Sequence, residues 1–273
     1  MAAAVVVSAC GGSPTVPSPP PPPPPVVNNT PPTISGIRAS AQRVDADKEI
    51  EVTAVVQDAE TALDQLTYAW SATPTGGTFT GSGPVVKWRA PKGQRTPDMY
   101  TLTLTVTENY TSAGLPQQNR VSSSTSVRYN DSIAEVTALA VQFYNDFGTY
   151  DVSAAQCVRN FSDSCGKDKE EETAQIQANR DRRDYRIVGS TLSSAANLTF
   201  DNAMTGATFV QSCTFEDVST VNGKRTRVTG DCFLTAVYED WRWWLCVSRF
   251  LNGSSTELNL KHRVPGRVIQ LYP

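Results

Sequence analysis

Histidine is nearly absent from this sequence: His262 is the single one in 273 residues. That scarcity excludes histidine-rich metal centres, and a Ser/His/Asp or Cys/His apparatus would have to be built on one imidazole. No apolar run approaches the roughly 20 residues that a membrane-spanning helix needs. The six cysteines include no CxxC pair, which argues against a zinc knuckle or a thioredoxin-like redox centre. A net charge of −3 gives no electrostatic case for nucleic acid as a partner. No motif calls for a cofactor or a metal. What is present is enough chain for two domains, each with its own core.

The first ten residues end in Val7-Ser8-Ala9-Cys10, followed by Gly11-Gly12. An apolar residue, two small ones and a cysteine resemble the lipobox of bacterial lipoproteins, in which the cysteine is diacylated and becomes the new N-terminus. The resemblance implies lipidation of Cys10, a membrane partner, and a cell-envelope location on the periplasmic side or the cell surface. The preceding apolar run, residues 2–7, is short and carries no basic residue, as a start codon placed too far downstream would produce. Residues 11–32 read as a linker, with seven consecutive prolines at 19–25. Such a run lacks backbone donors and favours extended polyproline II, at roughly 3.1 Å per residue. A PxxP ligand for an SH3-type reader is the alternative, and such readers are not expected outside the bacterial cytoplasm.

Between 33 and 129 the pattern is short, alternating and β-rich. In "KEIEVTAVVQD" Ile50, Val52, Ala54 and Val56 alternate with outward neighbours. In "YTLTLTVTE" Leu102, Leu104 and Val106 oppose a row of threonines. Six or seven strands at this spacing predict a β-sandwich. The Asn-x-x-Pro-Pro opening, Leu-Thr-Tyr-x-Trp and the closing Leu-Thr-Val are similar to PKD-type and related immunoglobulin-like modules of bacterial surface proteins. The resemblance implies a spacer or adhesion module with Trp70 in its core. Thr73-Pro74-Thr75-Gly76-Gly77 stands where that family carries a Gly-Asp-Gly turn. Asp58, Glu60 and Asp64 offer oxygen ligands for calcium, but their spacing favours a solvated acidic turn.

From 131 the composition changes. Asp131 or Ser132 caps a helix whose stripe is Ile133, Val136, Leu139, Ala140, Phe143 and Phe147. A short helix is expected around 152–161 and a charged one at 167–184. Strands follow at 185–194, 197–202, 206–218, 224–239 and 242–251. Asn222-Gly223 is a type I′ hairpin signal, and a hairpin centred there sets Cys213 directly opposite Cys232, within disulfide reach. Cys157 and Cys165 are the obvious second pair, leaving Cys246 free, with a bond from Cys246 to either of them as the alternative. Helices followed by a long antiparallel sheet, "IAEVTALAVQFYNDFGTYDV" and "DCFLTAVYEDWRWWLCVSRF", resemble the nuclear transport factor 2-like superfamily. The fold expected is therefore an all-β immunoglobulin-like sandwich at 33–129 followed by an α+β cone at 131–262, helices packed on a curved antiparallel sheet. Residues 263–273 form a tail. The superfamily mixes isomerases, cyclases and dehydratases with non-catalytic binding domains, so fold alone decides little.

Alternation predicts an inner sheet face of Phe209, Gln211, Cys213, Phe215, Leu234, Ala236, Tyr238, Trp243, Leu245 and Val247. Tyr144 and Tyr150 reach in from the helices, and Tyr144, Tyr150, Phe209, Gln211, Tyr238 and Trp243 are the candidate pocket residues. An isomerase-type site needs a buried carboxylate and an oxyanion-holding group. The last three strands show no carboxylate on that face, and Asp184 with Tyr185 is the weak catalytic candidate beside a cap-and-core reading. The basic run 180–186 is interrupted by acids and reads as a salt-bridged helix end. Trp241, Trp243 and Trp244 suit sugar stacking, although alternation puts the last two on opposite faces. The favoured reading is a non-catalytic, lipid-anchored protein whose cone binds a small hydrophobic ligand, a glycan or an envelope protein. An isomerase, cyclase or hydratase in the cone and a structural envelope-assembly protein are the alternatives. Replacing Cys10 (Cys10→Ala) should move the protein from the membrane to the soluble fraction on cell fractionation; unchanged partition would refute the anchor.

Overall fold

The structure, a computed structural model, describes residues 28–183, 185–192 and 198–255. It is mostly β, with curled sheets and few helices. Eight strands come first: β1 (Thr33–Ala39), β2 (Arg43–Asp45), β3 (Glu49–Gln57), β4 (Thr67–Thr73), β5 (Thr78–Thr80), β6 (Val85–Arg89), β7 (Asp98–Ser112) and β8 (Leu115–Asn130). They form two four-stranded sheets, ordered β1-β3-β6-β5 and β2-β8-β7-β4. The alternation foreseen in β3 and β7 is what buries Val52, Leu102, Leu104 and Val106. Trp88, not Trp70, is the fully buried indole here. It lies 5.2 Å from Tyr100, centroid to centroid, whereas Trp70 is partly buried against the same core and donates Nε1–H to the Gly83 carbonyl at 3.0 Å. Gly77, at φ +73°, lets the chain pass that indole: a Cβ there would sit 2.5 Å from Trp88 Nε1.

Three α-helices follow, α1 (Ser132–Phe147), α2 (Ala154–Cys157) and α3 (Asp168–Arg180), with a 3-10 turn at Asp163–Cys165 before the last. Asp131 caps α1, its carboxylate accepting from the Ala134 amide at 3.1 Å. The far end of α1 is closed by Arg180, whose Nη2 donates to the carbonyls of Phe147 and Thr149 at 2.9 and 3.0 Å, which gives one arginine of the basic run a packing role. Five strands come next among the described residues: β9 (Tyr185–Leu192), β10 (Thr199–Phe200), β11 (Gly206–Ser219), β12 (Arg225–Glu239) and β13 (Arg242–Ser255), ordered β10-β11-β12-β13 with β9 also on β11. Gly148 is fixed by close approach, since a Cβ would meet the Ser190 amide at 2.3 Å.

Cys213 and Cys232 are bonded, but through a different register from the one expected. Gln211 faces Cys232 and Cys213 faces Gly230, so the partners lie diagonally, with Cα atoms 5.8 Å apart. The turn after Ser219 is two residues longer than a type I′ pair, and a two-residue shift keeps both sulfurs on one face. The Cys157–Cys165 pairing is corrected: Cys165 bonds Cys246, 81 residues on, and Cys157 is a buried free thiol. Chain proximity misled because the segment before α3 runs along β13, where Phe161 bridges Leu245 and the Ser162 amide donates to the Leu245 carbonyl at 2.7 Å. A disulfide closing a loop that long contributes about 4.5 kcal/mol in the chain-entropy account. Non-reduced peptide mapping should recover Cys165–Cys246 and Cys213–Cys232, with Cys157 alkylated only after unfolding; a Cys157–Cys165 peptide would refute this topology.

Candidate functional site

The candidate site is the inner face of the β9–β13 sheet, where polar groups sit among apolar ones. Ladder register builds it rung by rung. Phe209, Leu234 and Ser248 make one rung; Gln211, Cys232 and Phe250 make the next. A bulge between Thr235 and Ala236 pairs Thr235 with Val247 and Ala236 with Leu245. It turns Val247 outward and brings Ser248 and Phe250 in, correcting the placement of Val247 on the inner face. Tyr144, from α1, lies across this surface 2% exposed, with its hydroxyl 3.3 Å from Ser248 Oγ and its ring 6.0 Å from Phe215. Burial pushes the Tyr144 phenol up, against the Ser248 hydrogen bond and with the nearby Glu172 carboxylate adding to the rise.

Gln211 is the anomaly. It is 4% exposed, and neither its Oε1 nor its Nε2 meets a partner among the described residues. Each unpaired buried polar atom costs about 1–3 kcal/mol relative to a satisfied one. Its neighbours on the face are Phe209 and the Cys213–Cys232 bridge, which offer nothing to bond. An amide presents a donor and an acceptor side by side, which match a carboxylic acid or another amide.

One carboxylate belongs to this interior and a second borders it. Asp217, two residues beyond Phe215 on β11, is 8% exposed on the same side, so the expectation that the last three strands carry no inner carboxylate is overturned. The period of two was sufficient to find it. Burial raises its pKa, opposed by Arg182. Glu172, one turn before buried Ile176 on α3, is pushed up to about 8 by burial; Arg249 opposes the shift and Asp168 adds to it. No signal in the sequence singled out Glu172. With Ile176 as the only large apolar residue in α3, the pattern left its inward face unassigned.

The six expected pocket residues occupy three places. Tyr144, Phe209 and Gln211 are together. Tyr238 and buried Trp243 pack on each other at 5.4 Å, at the end nearest the first two sheets, with Arg43 stacked 3.6 Å over the Tyr238 ring. Tyr150 lies at the far end, under the Arg186 guanidinium at 4.1 Å and donating to the Arg180 carbonyl at 3.4 Å. Asp184, Cys10 and His262 lie outside the described residues; Tyr185 opens β9, and its side chain is likewise outside them. In the acidic turn, Asp58 Oδ1 accepts from the amides of Glu60 and Thr61 at 2.9 and 2.6 Å, so that carboxylate closes its own loop. Among the described residues no group of three or more His, Cys, Asp or Glu side chains is placed to hold a metal, and no helix is long and apolar enough to cross a membrane.

No family model, curated protein or solved structure matches this chain.

Glu172 yields a pH signature. Its folded pKa of about 8 lies above the ordinary value of 4.5, so from about pH 4.5 to about 8 the native state holds a proton that the unfolded chain has lost. Stability should therefore fall as pH rises across that window. Urea melts should show the decline in the native protein and a flatter profile in Glu172→Gln; parallel profiles would contradict it.

Proposed function

We propose that this chain is a lipid-anchored envelope protein of two domains. In this reading Cys10 carries the lipid, residues 11–32 are the spacer, and an immunoglobulin-like sandwich at 33–129 presents a nuclear transport factor 2-like cone at 131–262. The cone binds a small apolar ligand with a carboxyl or amide head. Separate clusters of buried residues on the two sides of Asn130 support the two-domain reading. The two disulfides fit an oxidising compartment outside the cytoplasm.

The observation that carries the binding role is the unpaired Gln211 amide inside an aromatic-lined curl. A side chain that served packing alone would be better apolar, because it gives up its hydrogen bonds to water and recovers none. A ligand head that both accepts and donates restores them, and Phe209, Phe215 and Phe250 supply apolar contact for its body. The enzyme reading, of isomerase or hydratase type, gains from Glu172. A carboxyl that keeps its proton near neutrality beside a buried tyrosine is the kind of pair proton transfer uses.

Gln211→Met, which preserves volume and removes the amide, should raise the stability of the unliganded protein by about 1–3 kcal/mol. It should also abolish the thermal shift that aromatic or aliphatic carboxylic acids and primary amides produce in the native protein. A destabilised variant, or a native protein indifferent to the whole panel, would defeat the proposal.

A further inference from the structure

The structure separates three neighbouring tryptophans completely. Trp243 is in the core. Trp244 lies beneath the Arg242 guanidinium, 3.6 Å from its ring centroid. Trp241 remains 51% exposed. Trp241 occupies an unusual place. Glu239 pairs with Arg242, so Asp240 and Trp241 are the two central residues of a tight hairpin turn, both at positive φ, 49° and 64°. That is the type I′ arrangement, in which the second position favours glycine because any Cβ is crowded there. An exposed indole at this position gains no core packing to offset its backbone conformation.

The turn brings Trp241 against the ends of β1 and β8, where it forms one wall of an open groove of about 520 Å³. Its lining also includes Met99, 48% exposed, with Ile37 and Ala39 of β1. Arg38 and Arg128 supply the charge, and no carboxylate of the described residues lines the groove. Arg38 is exposed and has no ion-pair partner among the described residues, and Arg128 is hydrogen-bonded beside Tyr238 and keeps a buried, unpartnered Nε. Thr125 and Ser126 of β8 complete the lining. A flat aromatic face beside two forked cations fits a ring that is apolar on one face and negatively charged at its edge.

We propose that this groove binds an acidic glycan, a saccharide bearing carboxylates. A pyranose C–H face stacks on the Trp241 indole, whose π-face is electron-rich. The sugar carboxylate is taken by Arg38 and Arg128, because the planar guanidinium matches a carboxylate in two-point geometry. The groove is separate from the interior that holds Gln211, so the two sites fail or succeed independently.

Titration of the full chain with oligogalacturonate, following tryptophan fluorescence, tests this against a neutral cello-oligosaccharide and an oligothymidylate. The acidic saccharide should bind, more weakly as salt rises, and the neutral one should not. Trp241→Gly suits the type I′ turn, so it should keep or raise the melting temperature while weakening the saccharide at least about tenfold, read by calorimetry. Arg38→Gln should weaken binding several-fold and flatten its salt dependence. Absence of binding, equal binding of the neutral sugar, preference for the oligothymidylate, or undiminished affinity in Trp241→Gly would each overturn the proposal.

Discussion

A buried guanidinium has to be paired, and the way Arg43 is paired organises the structure around it. Its Nη2 donates to Asp45 Oδ2 at 2.9 Å and to Ser132 Oγ at 2.8 Å, while Nη1 donates to the Met204 carbonyl at 2.8 Å. Asp45 in turn accepts the Ser132 amide and hydroxyl, both at 2.8 Å, and the Trp243 indole N–H donates to the same hydroxyl at 2.9 Å. One node thus ties β2, the first residue of α1, the loop before β11 and the start of β13. Breaking a buried pair of this kind costs about 3–5 kcal/mol, because the surviving charge is left without a partner. Tyr238 reinforces it, bonding Asn130 Oδ1 at 3.1 Å, and Asn130 holds Glu135 on the first turn of α1 at 2.9 Å. With α1 fixed at its start, Tyr144 is fixed over the sheet, and the hairpin bearing Trp241 is held against β1 and β8.

The interior of the curled sheet shows the opposite balance. Around Arg43 both terminal nitrogens of the guanidinium are answered and only its Nε is left over; at Gln211 neither amide atom is answered. Both regions are buried, so the contrast does not arise from exposure. It arises because the node joins elements that each bring backbone amides or hydroxyls, whereas Gln211 faces only aromatic rings and a disulfide. A low-dielectric surrounding strengthens a satisfied network and penalises an unsatisfied group by the same physics. That asymmetry sets the unpaired amide of the interior apart from the answered network at the junction.

The local elements were legible in the sequence to within a few residues. Asp131 capped α1 because a carboxylate before an apolar stripe is a strong local signal. The strands from 185 onward followed the period of two, which also carried Asp217 to the inner face. Misreadings arose where one residue broke that period. The Thr235/Ala236 bulge exchanged Val247 for Ser248, and that exchange gave Tyr144 its hydroxyl partner. The diagonal Cys213–Cys232 bond survived because a two-residue shift preserves the face.

Sequence by itself determined the alternation that buries Val52 and Leu104, the capped helix at Ser132, the face of Cys213 and Cys232, and the position of the cysteine in Val7-Ser8-Ala9-Cys10. Each of these depends on residues close in the chain, where periodicity and covalent geometry suffice. Only the tertiary structure decided that Cys165 reaches Cys246, that Glu172 is the carboxylate near Tyr144, that Trp88 replaces Trp70 in the core, and that Trp241 alone among its neighbours stays in water. Those outcomes depend on which distant segments share a surface, and a one-dimensional pattern does not encode that when the apolar stripe of α3 has a single large member and the bulge in β13 has no side-chain signature.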